Sequence, residues 1–333
     1  MTVDERPGLS TGRLSRLVRE SVERCALDLS GARVLTEAAT GAYVVTPVIA
    51  AVGGAKVVAL TADSRYGTAE QVTAATMDLA AELGVADRIM ITTQRAAEHF
   101  AAADVITNSG HVRPIFGKLA AAIRPAAVLS LMFESWEAQI GRLDIDVDVL
   151  RDRGIQIAGT NERHPHVDVF SYLGPMAVAE LADAGVSAYR GRIAVLCDNA
   201  FRDYIADGLK AAGAEVDVAA SLDGLSSQSP DALLVALQPT GASVLSAADL
   251  NRIGTSWPDC ILVQFWGDID RSQCSLASWP VVAPSAGHMG VLPSRLGPEP
   301  IVRLQAGGLK VAQVLLMPPT ARTAQDMEYV DAF

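Results

Sequence analysis

From residue 31 onward, short runs rich in Val, Ile and Leu alternate with longer stretches whose apolar residues recur every three or four positions. The short runs predict buried strands and the longer ones amphipathic helices. Strands are expected at 33–37, 56–61, 88–93, 104–108, 127–133 and 155–160, with helical connections at 44–52, 69–83, 95–103, 115–123 and 147–153. Parallel neighbours need crossovers of this size, so the series predicts a doubly wound α/β domain over 31–162. A helical stretch within 163–190 is expected to cross between domains. A second series follows over 191–333, with strands at 192–196, 215–219, 232–237, 260–265 and 281–283 and a closing helix at 300–316. The expectation is an α/β protein of two Rossmann-like doubly wound parallel-sheet lobes with an interdomain cleft. Residues 1–30 carry Leu14, Leu17, Val18, Val22 and Cys25 at helical spacing, which predicts an amphipathic helix lying on the body or on a second copy of the chain, the latter implying a homodimer.

Composition narrows the function classes. With 27 Lys+Arg against 38 Asp+Glu, the net charge of −11 disfavours a nucleic-acid partner, which draws on concentrated basic residues. The N-terminal segment is charged throughout, unlike a signal peptide, and the longest apolar stretch, 43–60, is broken by Pro47, Gly53, Gly54 and Lys56, so no membrane span is expected. Cys25, Cys197, Cys260 and Cys274 are widely spaced, as in reduced thiols of a cytoplasmic protein. No Gly-x-Ser-x-Gly elbow, Walker loop or His-Glu-x-x-His motif occurs, which argues against the common serine hydrolase, P-loop and zincin mechanisms.

Candidate chemistry then collects at predicted strand ends. The first strand-to-helix turn, 37–44, keeps one glycine of the G-x-G-x-x-G pattern: Gly41 takes the second position, Ala39 the first and Val44 the third. Gly41 would let a pyrophosphate approach the backbone, with Thr40 adding a hydroxyl; the alternative is a glycine that merely relieves a tight turn. Asp63, at the end of the second strand, is placed to accept from ribose hydroxyls, or else to cap the next helix. Arg65 beside it suits a 2′-phosphate, so NAD and NADP both stay open.

After the fourth strand the chain reads Asn108, Ser109, Gly110, His111, Val112, Arg113, Pro114. Here it resembles the NAD-binding domains of adenosylhomocysteinase and the D-2-hydroxyacid dehydrogenases, a likeness that covers residues 31–160. The resemblance implies a cofactor role for Gly41, Asp63, Asn108 and Gly110. It implies no catalytic residue, because no Arg and Glu align with the histidines here, and the domain order differs from those families.

Strand carboxyl ends face the ligand in this architecture, which makes His111, His164, His166 and His288 the acid/base candidates. The segment 161–166 holds the densest group of ionisable residues and falls at the expected domain junction, where it reads either as catalytic or as a solvated connector. Glu134, after the fifth strand, is placed to orient a histidine or bind an amine, or simply to start a helix. The cysteines are dispersed and the His164/His166 pair lacks a third ligand by spacing, so no metal is expected. The leading expectation is an NAD(P)-dependent oxidoreductase acting on a small polar metabolite. A transferase or lyase with a nucleotide-linked substrate, and a non-catalytic ligand-binding protein, are the alternatives.

Overall fold

The computed structural model describes residues 6–139, 143–226, 228–272 and 274–333. Within the N-terminal segment read as a helix, residues 1–5 lie outside the described residues. The chain forms two units: the first comprises residues up to Gln139, Leu143–Val169 and Gly297–Phe333, and the second spans Phe170–Leu296.

The first unit opens with helix α1 (Thr11–Arg24). It then alternates β1 (Arg33–Glu37), α2 (Val45–Val52), β2 (Lys56–Leu60), α3 (Ala69–Glu82), β3 (Ile89–Thr92), α4 (Ala97–Ala102), β4 (Val105–Thr107), α5 (Gly117–Ala122) and β5 (Val128–Ser130), followed by the short α6 (Trp136–Gln139), α7 (Val147–Asp152) and β6 (Gln156–Thr160). Six parallel strands take the order β6-β5-β4-β1-β2-β3, the arrangement of a dinucleotide-binding sheet. The strands are short and apolar because both faces are covered. One face packs Leu17, Val18, Val48, Ile49, Val72 and Leu79 from α1, α2 and α3. The other packs Phe100, Ile115, Ala120, Ile123 and Leu150 on and beside α4, α5 and α7. α1 thus lies on the body of its own unit, the first of the two alternatives. Boundaries are set by local chemistry as well as by burial: at the start of α3, Thr68 and Gln71 form a capping box.

The second unit contains α8 (Leu173–Asp183), β7 (Arg192–Leu196), α9 (Arg202–Ala211), β8 (Glu215–Ala219), β9 (Ala232–Ala236), α10 (Ala247–Ser256), β10 (Ile261–Trp266) and β11 (Ser278–Trp279). Its parallel sheet has the order β11-β10-β9-β7-β8, the other common doubly wound pattern.

Three expectations need correction. The closing helix, α11 (Glu299–Leu316), belongs to the first unit and not the second, because Val302, Ala306, Leu309, Val311 and Ala312 complete the apolar core against α1 and α2. It is followed by α12 (Ala324–Met327) and β12 (Val330–Ala332), which pairs antiparallel with β6. The helical stretch expected to cross between domains is α8, and it lies wholly in the second unit, packed on α9. Residues 281–283 form no strand: Val281 and Val282 are exposed, and the edge strand begins three residues earlier, at Ser278, before the Trp279-Pro280 bond.

Candidate functional site

In the first sheet β1 lies between β2 and β4, and the connections after β1 and β4 leave toward opposite faces. A crevice at this switch point, outside the strand carboxyl ends, is where doubly wound sheets bind ligands. The first turn lies there. Gly41 has φ +63°, and nothing stands within 4 Å of the place a Cβ would occupy. A side chain would be strained by that φ and would fill open space beside the backbone. Residues Gly41–Val44 make a tight 3-10 turn that runs into α2. The Thr40 hydroxyl donates to the Tyr66 carbonyl at 3.3 Å, tying the first turn to the loop after β2. Asp63 is exposed, and its Oδ1 accepts the Ala69 N–H at 2.8 Å at the start of α3. Arg65 lies over the Tyr66 ring, 4.7 Å from its centroid. Thr40, Gly41, Asp63 and Arg65 therefore lie on the loops that follow β1 and β2, at the carboxyl ends of neighbouring strands.

The end of β4 supplies the opposite wall. Thr36, Thr107 and Ser109 form a buried hydroxyl chain, with Thr107 Oγ1 2.8 Å from Thr36 Oγ1 and 2.6 Å from Ser109 Oγ. Asn108 is buried, and its Oδ1 accepts the Met132 N–H at 2.7 Å, bracing the ends of β4 and β5. Gly110 and His111 meet Glu37, the last residue of β1: Glu37 Oε2 accepts the His111 N–H at 3.1 Å, and a Cβ on Gly110 would stand 3.0 Å from that oxygen. Burial pushes the Glu37 carboxyl up, against the opposing pull of His111, Arg113 and the two backbone amides. The Tyr43 phenol is pushed up to about 12 by burial, then by the charges of Glu37 and Tyr66. Sequence spacing assigns Glu37 no role. Its signal is a lone acid closing a short, largely buried strand, but only the β1–β4 adjacency gives it partners.

Farther along the sheet, Glu134 is buried, accepting from Trp136 Nε1 at 2.8 Å and from Arg163 Nε at 3.3 Å. Glu162 is pushed well up by burial and then by Glu137, Glu134 and Asp331. His164 is buried and stacks on Tyr329, ring centroids 3.8 Å apart, while its Nδ1 accepts the His166 N–H at 3.1 Å. Burial, then the neighbouring His166, pulls the His164 imidazole below its ordinary value. His166 Nδ1 is 2.6 Å from the Tyr329 hydroxyl. These two histidines thus fasten the 161–168 turn to the C-terminal segment. Arg303 serves the same turn, donating to the Val167 and Pro165 carbonyls. Among the described residues, no three His, Cys, Asp or Glu side chains are placed to hold a metal ion.

His288 lies in the second unit, exposed, in a turn where its N–H donates to Ser285 O at 2.9 Å. That unit has its own switch point, between β7 and β9. A cavity of about 460 Å³ opens there, lined by Asp198, Ser221, Leu237, Gln238 and Thr240 among others. Asp198 Oδ1 accepts the Gln238 N–H at 2.9 Å across it.

No family model matches the chain, and no curated protein matches it in sequence. Two solved structures of dipicolinate synthase chains are similar to it. The one from Bacillus halodurans has a TM-score of 0.55 at 14% identity, over 87% of this chain and 100% of that one. The one from Bacillus subtilis has a TM-score of 0.54 at 11% identity, over 87% and 97%. At these identities the likeness is one of fold, and with the strand orders above it establishes two doubly wound, Rossmann-like α/β units.

Proposed function

We propose that the protein is an NAD(P)-dependent oxidoreductase acting on a small polar metabolite, with the dinucleotide held at the switch point of the first unit. The observation that carries this reading is Gly41: a left-handed glycine facing open space, directly after the central strand of a sheet in dinucleotide-binding order. Asp63 would receive the ribose diol at the end of β2, and Arg65 beside it is the residue that would tolerate a 2′-phosphate. A bound nicotinamide supplies hydride acceptance. The chain's contribution is to position that ring and to take the proton released when an alcohol carbon is oxidised. His111 is the histidine best placed for that proton, because its backbone is held at the β4 end by Glu37. The stacked and hydrogen-bonded His164 and His166 support the fold of their own turn.

Calorimetric titration of the whole protein with NADH and with NADPH tests the reading. Gly41→Val and Asp63→Ala should each weaken binding by roughly tenfold or more, by about the free energy of one lost hydrogen bond to a charged group or one steric block. Unchanged affinity in both variants would sink it. A second reading places the nucleotide in the second unit, favoured by the 460 Å³ cavity between β7 and β9. It predicts the opposite pattern, with Gln238→Ala weakening binding and Gly41→Val not.

A further inference from the structure

The Glu37 carboxyl stands at the strand ends where a dinucleotide would bind, yet the dinucleotide reading gives it only a backbone to hold. It closes β1, at the root of the first turn, and Oε2 is held by the amides that follow β4. The titratable and charged groups that act on it are His111 and Arg113 from the loop after β4 and Tyr43 from the first turn. Gly110 is bare on the side facing it, since a Cβ there would stand 3.0 Å from Oε2. A carboxylate so placed opposes any anion entering the same crevice, in surroundings where water screens the repulsion poorly. Conversely, a neutral carboxyl turns from an obstacle into a hydrogen-bond donor, and burial already biases Glu37 toward that form.

We propose that Glu37 couples ligand binding to proton uptake: as the pyrophosphate of a dinucleotide enters the first crevice, Glu37 takes one proton from solvent. With Oε2 held by backbone amides, the proton resides on Oε1, whose O–H donates to a phosphate oxygen. Glu37 thereby determines which ligands enter, admitting pyrophosphate with a proton and neutral nucleosides without one. This inference rests on the dinucleotide reading of the first unit.

The test is calorimetry of the full protein with NADH in buffers of different ionisation enthalpy, across a pH series, with adenosine as the uncharged control. The wild type should take up as much as one proton per NADH. Its affinity should fall by about tenfold per pH unit once Glu37 is ionised in the free protein. Adenosine should bind without proton uptake. Glu37→Gln keeps an oxygen for the Gly110 and His111 amides, and it should bind NADH with neither buffer nor pH dependence. His111→Gln should retain the uptake but move it to higher pH, because the imidazole opposes the upward push of burial on Glu37. Proton uptake that survives Glu37→Gln, or that His111→Gln abolishes at every pH, overturns the assignment, as does NADH binding by the wild type with no uptake at any pH of the series. Absence of NADH binding at every pH, or binding indifferent to Gly41→Val, overturns the dinucleotide reading and the inference together.

Discussion

Glu180, in α8, is 1% exposed, and both of its carboxyl oxygens are buried without a hydrogen-bond partner among the described residues. A buried carboxylate in that position is costly, so the neutral acid is the form that fits. Its value is pushed up to about 8 by burial first and by Asp183 second. The sign follows from linkage. Between the ordinary value of 4.5 and about 8 the folded state holds a proton that the unfolded chain has released, so stability is greatest below 4.5 and falls as pH rises. At about 1.4 kcal/mol per pH unit, on the order of 5 kcal/mol is lost across that window. Glu180→Gln should therefore leave the second unit's melting temperature little changed near pH 5 and raise it by several degrees near pH 9. A variant that melts in parallel with the wild type at both pH values would show that Glu180 is not the group. The sequence places Glu180 on a helix, but only the fold brings Gly290 against it, where a Cβ would collide with both Glu180 Oε1 and the Gln264 carbonyl.

Helix packing in the second unit depends on two glycines that have no local signature. A Cβ on Gly208 of α9 would stand 2.3 Å from the Cα of Gly174 of α8, and one on Gly174 would stand 2.6 Å from the Cα of Gly208. The two backbones touch at their crossing, and neither can retreat as a flexible side chain would. Gly208→Val should cost roughly 3 kcal/mol or more, because the helices must separate and the Phe170, Phe201 and Tyr204 rings beside them lose contact. Denaturant unfolding followed by tryptophan fluorescence measures this, and a loss below roughly 1 kcal/mol would mean that the crossing yields easily. In the first unit α11 uses the same device: Gly307 and Gly308 bring it close to Thr160, Val167 and Met132. The apolar periodicity of α11 was legible as a helix, whereas the sheet it covers was not.

At the scale of the whole molecule, the first unit is discontinuous in sequence, and residues 297–333 supply one of its packed helices and its antiparallel edge strand. A chain ending at residue 296 would expose the apolar positions that Val302, Ala306 and Leu309 cover. Limited proteolysis of that truncated chain should cut within 33–160 while sparing 170–296; equal resistance of both regions would show that the first unit holds without α11. The sequence by itself determined the elements, because a period of two or of three to four apolar residues is a local property, and strands β1 to β10 fall where their apolar runs lie. It also determined the loops where ligand chemistry collects, since Gly41, Asp63, Asn108 and His111 each follow a legible strand. Only the tertiary structure decided which of these groups meet. Strand order brings Glu37 to His111 across 74 residues, and the return of the C-terminal segment brings Tyr329 to His164 and His166. Such contacts arise from which sheet edge and which face a segment finds free, and no pattern within the segment records that.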